Sequence, residues 1–318
     1  MARIDVDSKP QEKKLQRPSP IQPDLSYLIH LQRPAGSLRL REGYPRALMA
    51  GAHLSRFQGR GVEFDEVRPY QPGDEIRNMD WRVTARTGKP HTKLFREERE
   101  RPALLLIDLR PAMFFATRGA LKAVIAAECA TLLGWSVVHQ GDRVGALIVD
   151  AGSEAATVRP ARGKRAVMRM LGQMVNHPQW RQRLADPGGS LLPALQRAAH
   201  AARAGSMILM VSDARGFDDA AEAQMIRLLK HHQVLFVMVF DPFEKRLPET
   251  GILQASDGRA IRRINAADTA VRDRLAAQYA ARRARLQGLE KTPGFFLIEC
   301  ATTDDPFTVL QARLGVAR

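Results

Sequence analysis

Cysteine and aromatic residues are scarce in this sequence. Among 318 residues there are two cysteines, Cys129 and Cys300, and 6% of the residues are aromatic. Two cysteines so far apart do not form the disulfide framework of small secreted domains, so we expect reduced thiols. Each is interpreted as a small hydrophobic residue of the protein interior.

Long apolar runs are also missing. The longest, residues 207–211 and 234–240, have the length of a β-strand, whereas a membrane-spanning helix needs roughly 20 apolar residues. Residues 1–7 are charged and lack the apolar core of a signal peptide. We therefore expect a cytoplasmic protein without a membrane span.

The familiar catalytic motifs do not occur. The eight histidines, including His231 and His232, lack the spacing of metal ligands. Gly59 and Gly61 do not follow a strand and open a helix, as a phosphate-binding loop requires. Neither a Walker sequence nor the Gly-x-Ser-x-Gly elbow of hydrolases is present. Because these motifs are missing together, the sequence favours a protein that is not an enzyme.

Acidic residues are outnumbered by basic ones. The chain has 49 Lys and Arg against 34 Asp and Glu, which gives a formal net charge of +15. Such an excess suits an acidic partner and keeps a nucleic-acid-binding module open as an alternative. The basic residues are spread along the chain without a zinc-finger or RNA-recognition motif, so we do not expect nucleic acid to be the partner.

What the sequence does contain is a charged, glycine-punctuated run at residues 59–86. Pro72, Gly73 and Asp74 form a turn signal, and apolar residues alternate with charged ones on both sides of it. The pattern predicts a β-hairpin with two half-buried arms and internal salt bridges around Trp81. A charged hairpin can also be a solvated sheet edge, and that alternative stays open for each residue alone.

The run resembles the signature of a prokaryotic family called domain of unknown function 58. In that signature, a Gly-x-Gly-x-Glu-Phe, Arg-x-Tyr, Gly-Asp, Arg, Asp-Trp and Ala-Arg series precedes a von Willebrand A-like domain. The resemblance implies a small N-terminal module followed by a Rossmann-type sheet. The signature and candidate interaction residues are Gly61, Glu63, Phe64, Arg68, Tyr70, Gly73, Asp74, Arg77, Asp80, Trp81 and Arg86.

The hydrophobic pattern divides the chain into three parts. Residues 1–24 are polar and rich in proline, which predicts a flexible leader. Residues 25–101 are assigned to a small β-rich module, with a short helix at 25–29, a strand at 36–40 and a strand within 89–101. Residues 102–318 form the third part.

The third part alternates apolar strands with amphipathic helices. This alternation predicts an α/β domain, in which a mostly parallel sheet is covered by helices on both faces. A short paired strand at 155–159 and a hairpin at 251–264 interrupt the pattern. Strands are predicted at 103–108, 143–150, 206–213, 233–241 and 294–299, and helices at 119–139, 164–175, 191–204, 220–230, 266–288 and 306–314.

The strand ends of this domain carry a candidate site. The resemblance implies a metal-ion-dependent adhesion site, in which Asp108 matches the first aspartate of an Asp-x-Ser-x-Ser series and Asp213 the later aspartate. Ser190 stands for the threonine of the site, and it is also predicted to cap the helix that follows. The two serines of the series fall on Arg110 and Ala112.

These substitutions predict a degenerate site. Mg²⁺ needs about six oxygen ligands, and two hydroxyls have been replaced. We therefore expect no cofactor; a cation, if bound, would be held by Asp108, Ser190 and Asp213. Arg110 is expected to occupy the space of the ion and to pair with Asp108 or Asp213. Strand-end aspartates that cap helices are the alternative.

The resemblance implies a non-catalytic interaction protein. Members of the family are expected to act with a MoxR-type AAA+ ATPase and other von Willebrand A proteins in chaperone-like assembly or maturation of other proteins. One alternative is a metal-dependent hydrolase or nuclease that uses the signature carboxylates Glu63, Asp65, Asp74 and Asp80. The other is a nucleic-acid-binding module that uses the arginines.

Overall fold

The computed structural model describes residues 16–40, 62–72, 74–97, 102–150, 156–181, 189–203, 205–256 and 261–315. Its contacts divide the chain into two compact units. The larger contains residues 1–43 and 102–318, and the smaller contains residues 44–101. The contacts thus place residues 25–40 in the larger unit, and not in the small module to which the sequence pattern assigned them.

The helices and strands are numbered along the chain. The helices are α1 (Leu25–His30), α2 (Gln32–Ala35), α3 (Trp81–Thr87), α4 (Lys122–His139), α5 (Lys164–Val175), α6 (Leu192–Ala201), α7 (Asp219–Leu229), α8 (Pro242–Lys245), α9 (Thr269–Leu289) and α10 (Pro306–Leu314). The strands are β1 (Val62–Pro69), β2 (His91–Glu97), β3 (Ala103–Asp108), β4 (Val144–Val149), β5 (Ala156–Ala161), β6 (Met207–Ser212), β7 (Gln233–Phe240), β8 (Ile252–Ser256), β9 (Ile261–Asn265) and β10 (Phe295–Ala301).

A six-stranded sheet forms the centre of the larger unit. Its strand order is β10-β7-β6-β3-β4-β5, and every neighbouring pair is parallel except β4 and β5. The order runs outward from β3 in both directions, as in doubly wound Rossmann-type sheets. The predicted α/β class is confirmed, and the arrangement is consistent with a von Willebrand A-type fold.

The apolar strands explain why this sheet lies in the interior. Every residue of β3, β4 and β6 is buried. Leu104 and Leu106 point to one face, where they belong to a cluster that includes residues of α6, α7 and α9. The alternate side chains point to the other face, and α4 contacts β3, β6 and β7 there. The sheet is therefore covered on both faces, as the strand and helix pattern predicted.

Helix α4 is buried on nearly all sides because other elements cover it. Helices α2, α5 and α10 pack on it, and the indole Nε1 of Trp135 donates to the carbonyl of Leu28. A helix that is apolar all round needs such cover. No helix in the described part of the chain combines the length and the apolar character needed to cross a membrane.

Residues 16–40 provide part of this cover. Arg17 forms a hydrogen-bonded ion pair with the buried Glu128 of α4 at 2.5 Å. Burial raises the pKa of Glu128, and the arginine opposes this shift. The helix expected at residues 25–29 is confirmed as α1, whereas the strand expected at 36–40 is mainly turn. Residues 1–15 of the expected flexible leader lie outside the described residues.

The smaller unit differs from the predicted hairpin. Strand β1 pairs antiparallel with β2, from Val62 opposite Glu97 to Pro69 opposite His91. The arm expected after the turn at Pro72 forms a 3₁₀ turn (Ile76–Asn78) and helix α3. The hairpin prediction is therefore wrong, although the strand expected within residues 89–101 is confirmed as β2.

An N-cap explains why this arm is helical. The side chain of Asp80 accepts hydrogen bonds from the backbone N–H groups of Arg82 and Val83, both at 3.0 Å. Aspartate at this position satisfies N–H groups that have no partner within the helix. Trp81, the first residue of α3, is 64% exposed. The half-buried position expected for Trp81 is therefore wrong.

The cysteines follow the prediction for interior residues. Cys129 and Cys300 are both buried and unpaired by any disulfide. Although distant in the sequence, the two thiols meet, and the hydrogen bond to Cys300 together with burial raises the pKa of Cys129. The hairpin predicted within residues 251–264 is confirmed by the antiparallel pairing of β8 and β9.

Gly172 provides a test of helix stability in α5. A methyl group at this position would have no heavy atom within 4 Å. Glycine inside a helix is less stabilising than alanine by about 0.5–1 kcal/mol. We expect Gly172→Ala to raise the free energy of unfolding by about this amount in urea denaturation. Gly134→Ala in α4 is the control. It should raise the free energy of unfolding less, because its methyl group would lie 3.0 Å from the Cε of Met170. A loss of stability in Gly172→Ala would contradict the prediction.

Candidate functional site

Three aspartates meet at one edge of the central sheet. Asp108 ends β3, Asp213 follows β6 and Asp241 follows β7. Because these strands are parallel and lie side by side, their carboxyl ends form one crevice. All three side chains are fully buried. The structure thus brings Asp108 and Asp213 to the same edge of the sheet, and Asp241 lies at the end of the next strand.

Arg110 binds Asp108 through two parallel hydrogen bonds. Its Nε donates to Oδ1 at 2.9 Å and its Nη2 to Oδ2 at 2.7 Å. The guanidinium also donates to the carbonyls of Gly189 at 2.8 Å and Arg215 at 2.9 Å. Only 4% of Arg110 is exposed. The predicted pairing of Arg110 is thus confirmed for Asp108.

The carboxylate of Asp108 accepts two further hydrogen bonds. The backbone N–H of Arg110 donates to Oδ1 at 2.9 Å, and the hydroxyl of Ser212 donates to Oδ2 at 2.6 Å. A carboxylate offers about four lone-pair directions. Its accepting capacity is therefore filled by groups of this chain.

Asp213 has a cation of its own. The ammonium of Lys122 donates to Oδ2 of Asp213 at 2.6 Å and to Oε1 of Glu244 at 2.8 Å, and the lysine is fully buried. Arg215 adds a backbone hydrogen bond to Asp213 at 3.0 Å and a side-chain bond to Glu244 at 2.8 Å. Lys122 and Glu244 were missed by sequence reasoning. The usable signal was a lysine at the start of a mostly apolar helix, since a buried ammonium requires a partner.

This pairing determines how Asp213 ionises. Burial would raise its pKa, but the positive charges of Lys122 and Arg215 hold the pKa of Asp213 well below its usual range. A carboxyl group with a lowered pKa stabilises the fold above its unfolded pKa, and the stabilisation is lost as the pH falls through the folded value. Asp213 is therefore an ionised member of the crevice at neutral pH.

Asp213→Asn tests this linkage. In the wild-type protein we expect the free energy of unfolding to fall as the pH drops below about 3.8, the unfolded value for an aspartate. The variant lacks the titrating group, so the stability difference between the two proteins should narrow with acidification. Urea denaturation over an acidic pH series measures it, with the exposed Asp273→Asn as the control. A constant difference across the series would show that Asp213 does not titrate as proposed.

The loops around Arg110 fit closely together. A Cβ atom on Gly216 would lie 2.2 Å from the carbonyl oxygen of Gly189, so only glycine fits there. Ala214, next to Asp213, has a φ of 58°, a left-handed conformation that costs a residue with a side chain roughly 1–2 kcal/mol. This geometry brings the carbonyls of Gly189 and Arg215 onto the guanidinium.

The remaining residues of the predicted site offer little to a cation. Ala112 lies in a 3₁₀ turn (Pro111–Met113) and has no side-chain oxygen. The hydroxyl of Ser190 accepts a hydrogen bond from the backbone N–H of Leu192 at 3.1 Å. The N-cap of α6 is Leu191, so the N-cap position predicted for Ser190 is wrong by one residue. The described residues contain no group of three or more His, Cys, Asp or Glu arranged to hold a metal ion. Because Ala112 offers no oxygen and Asp108 and Asp213 already accept hydrogen bonds from Arg110 and Lys122, this donor set does not fit a hard divalent cation.

The signature residues lie in the smaller unit. Arg68 pairs with Asp74 at 2.7 Å, as expected, and Asp80 lies 3.8 Å from Lys93. The backbone hydrogen bond from Val83 lowers the pKa of Asp80. Tyr70 is half-buried, whereas the side chains of Arg77 and Arg86 are exposed. The positions or side chains that lie outside the described residues are Gly61, Glu63, Phe64, Asp65 and Gly73.

Two curated proteins are similar to this chain over most of its length. They are the uncharacterized proteins Rv1480 of Mycobacterium tuberculosis strain H37Rv and Mb1516 of Mycobacterium bovis. Each is 32% identical over 265 residues, which cover 81% of this chain and 80% of the relative.

Two solved structures also resemble this chain, at low sequence identity. The conserved hypothetical protein BatB of Bacteroides thetaiotaomicron is 13% identical, with 60% of this chain and 100% of that chain covered and a TM-score of 0.36. The aerotolerance-related membrane protein of Bacteroides fragilis is 15% identical, with 67% and 96% covered and a TM-score of 0.39.

The sequence model of one family matches residues 66–285, which is well over half of the chain. The family is described as "Protein of unknown function DUF58". The match includes all but the first seven residues of the signature run and most of the central sheet. With this match and the relatives at 32% identity, the chain belongs to the DUF58 family.

Proposed function

We propose that this protein is a non-catalytic interaction protein of the cytoplasm that acts with a MoxR-type AAA+ ATPase. Together with other von Willebrand A proteins, it would assist the assembly or maturation of further proteins. The observation that carries the proposal is the filling of the crevice by internal cations. Arg110 neutralises Asp108, and Lys122 neutralises Asp213.

The filled crevice favours binding over catalysis. A general base needs a carboxylate that can accept a proton from a substrate, and a metal site needs carboxylate oxygens that point to an ion. Asp108 and Asp213 instead hold buried cations of the same chain. We therefore interpret the crevice as a degenerate adhesion site that keeps its shape without an ion.

The two signature carboxylates whose contacts are described support the same conclusion. Asp74 accepts hydrogen bonds from Arg68 and from the backbone of Gln71. Asp80 caps helix α3. Both side chains stabilise local structure of the smaller unit, which does not favour the hydrolase or nuclease alternative.

Affinity purification from native cells tests the proposal. The tagged full-length chain is recovered from a nuclease-treated lysate, and bound proteins are identified by mass spectrometry. We expect an AAA+ ATPase whose retention weakens as the salt concentration rises, because the basic chain attracts an acidic partner. Recovery without any ATPase contradicts the proposal. Salt-sensitive nucleic acid in an untreated lysate, with no ATPase, would favour the nucleic-acid alternative.

A further inference from the structure

A groove lies at the edge of the central sheet, away from the aspartates of the crevice. It runs between strand β5 and helix α5 and has a volume of about 710 Å³. Ala156 and Val158 line it from the strand, and Pro178 lines it from the turn after the helix. We call it the β5–α5 groove. More of its lining surface is apolar than polar, although six of its ten described lining residues have polar side chains. Such mixed clefts are typical of surfaces that bind peptides or ligands.

Strand β5 forms one wall and is the last strand of the sheet. Among the described residues, β4 is its only strand partner. An edge strand can accept an extended peptide as a further strand, through main-chain hydrogen bonds. Pro160 of β5 has no N–H and cannot donate such a bond. The groove beside it would then receive alternate side chains of that peptide.

Unpaired arginines surround the groove. Arg159 of β5 and Arg169 of α5 line it, and Arg165 lies next to Arg169 in an adjoining cavity. All three side chains are exposed, and none of them forms an ion pair or a side-chain hydrogen bond with another described residue. By contrast, Arg110 and Arg283 are paired with carboxylates. The arginines at the groove are therefore available to form ion pairs with acidic groups of a partner.

Gly172 has no side chain, so helix α5 leaves the groove open at this position. It lines the groove in the middle of α5, and a Cβ atom built on it would meet no heavy atom within 4 Å. A larger side chain at this position would therefore project into the groove without a clash in the protein itself. This makes Gly172 a position at which the groove can be closed selectively.

We propose that the β5–α5 groove binds an extended, acidic peptide segment of a partner protein. The segment adds to β5 as a strand, directs its apolar side chains into the groove and places its carboxylates near Arg159, Arg165 and Arg169. The charge of these arginines favours acidic over neutral segments. The inference rests on the proposed function, since it assigns the peptide to an assembly partner.

Fluorescence anisotropy with a labelled peptide tests this proposal. The probe is a peptide of alternating Val and Glu, titrated with the full-length protein. Saturable binding is expected, and Arg159→Glu/Arg169→Glu should weaken it at least about tenfold. Gly172→Leu should weaken it by about the same factor, because the new side chain fills the groove. A peptide with Gln in place of Glu should also bind about tenfold more weakly.

Control variants separate the groove from the overall charge. Arg203→Glu/Arg274→Glu makes the same change in net charge at exposed arginines outside the groove, and thermal melts confirm that each variant is folded. The control is expected to bind within about twofold of the wild type. An equal loss in the control would show non-specific attraction and overturn the proposal.

Two other results would also overturn it. One is the absence of saturable binding by the wild-type protein. The other is competition by oligodeoxythymidine that is stronger than competition by unlabelled peptide and is lost in the groove variants, since the groove would then be a nucleic-acid site. The assay contains no ATPase. Failure of peptide binding is therefore distinguishable from failure to recover the ATPase from cells.

Discussion

Replacing Lys122 with methionine is expected to lower the free energy of unfolding by about 3–5 kcal/mol. The lysine is fully buried and holds Asp213 and Glu244 at hydrogen-bonding distance. Methionine fills a similar volume but leaves two buried carboxylates without this cation. Arg215 reaches both acids, yet its side chain is partly exposed and compensates less. Urea denaturation at neutral pH measures the loss.

Two further variants make the Lys122 prediction specific. Lys291→Met removes an exposed lysine and should change the stability by less than about 0.5 kcal/mol. Lys122→Met/Asp213→Asn removes the cation and one buried charge together, so it should lose less than the sum of the two single variants. If Lys122→Met lowers the free energy of unfolding by less than about 1 kcal/mol, the buried ion pair does not stabilise this edge of the sheet, which contradicts the prediction.

Replacing Arg110 with alanine is expected to lower the free energy of unfolding by about 3–5 kcal/mol as well. The change leaves Asp108 buried with Ser212 and one backbone N–H as donors. It also removes the donors to the carbonyls of Gly189 and Arg215. The loop beside Gly216 should therefore lose its contact with the carboxyl end of β3.

Arg110→Lys distinguishes geometry from charge. An ammonium keeps the positive charge but cannot form the two parallel hydrogen bonds of a guanidinium. We expect it to recover part of the stability that alanine loses. Arg203→Ala, at an exposed arginine, serves as the control. Its free energy of unfolding should lie within about 0.5 kcal/mol of that of the wild type. Full recovery by lysine would contradict the bidentate role of Arg110.

The sheet could be predicted because its signals are local. Strands β3 and β6 are continuous apolar runs that end at Asp108 and next to Asp213. Of the helices between them, α5 and α6 show a regular apolar period, and α4 is apolar on nearly all sides. Helices α5 and α10 begin and end where the pattern placed them. Parallel strands joined by helices permit few topologies, so local signals were sufficient for the fold class.

The signature run could not be predicted in the same way. Pro72 to Asp74 is a genuine turn signal, and alternating apolar residues suit a strand. The competing signal was Asp80, which caps α3 and turns the second arm into a helix. β1 therefore pairs with β2, which lies beyond that helix. The run from Trp81 to Thr87 carries no periodicity strong enough to reveal this choice.

The site was half predictable. The contact of Arg110 with Asp108 follows from two residues that are close in the sequence. The cluster of Lys122, Asp213 and Glu244 joins three distant parts of the chain, so only the fold brings them together. The sequence therefore indicates one internal cation, Arg110, whereas the structure shows a second one, Lys122.

Calorimetric titration of the full-length protein with Mg²⁺ and Mn²⁺ tests the central claim most directly. The claim is that Arg110 and Lys122 take the place of an ion at the carboxyl ends of β3 and β6. The account predicts no saturable heat of binding for either metal. Tight, saturable binding that disappears in Asp108→Ala would contradict it.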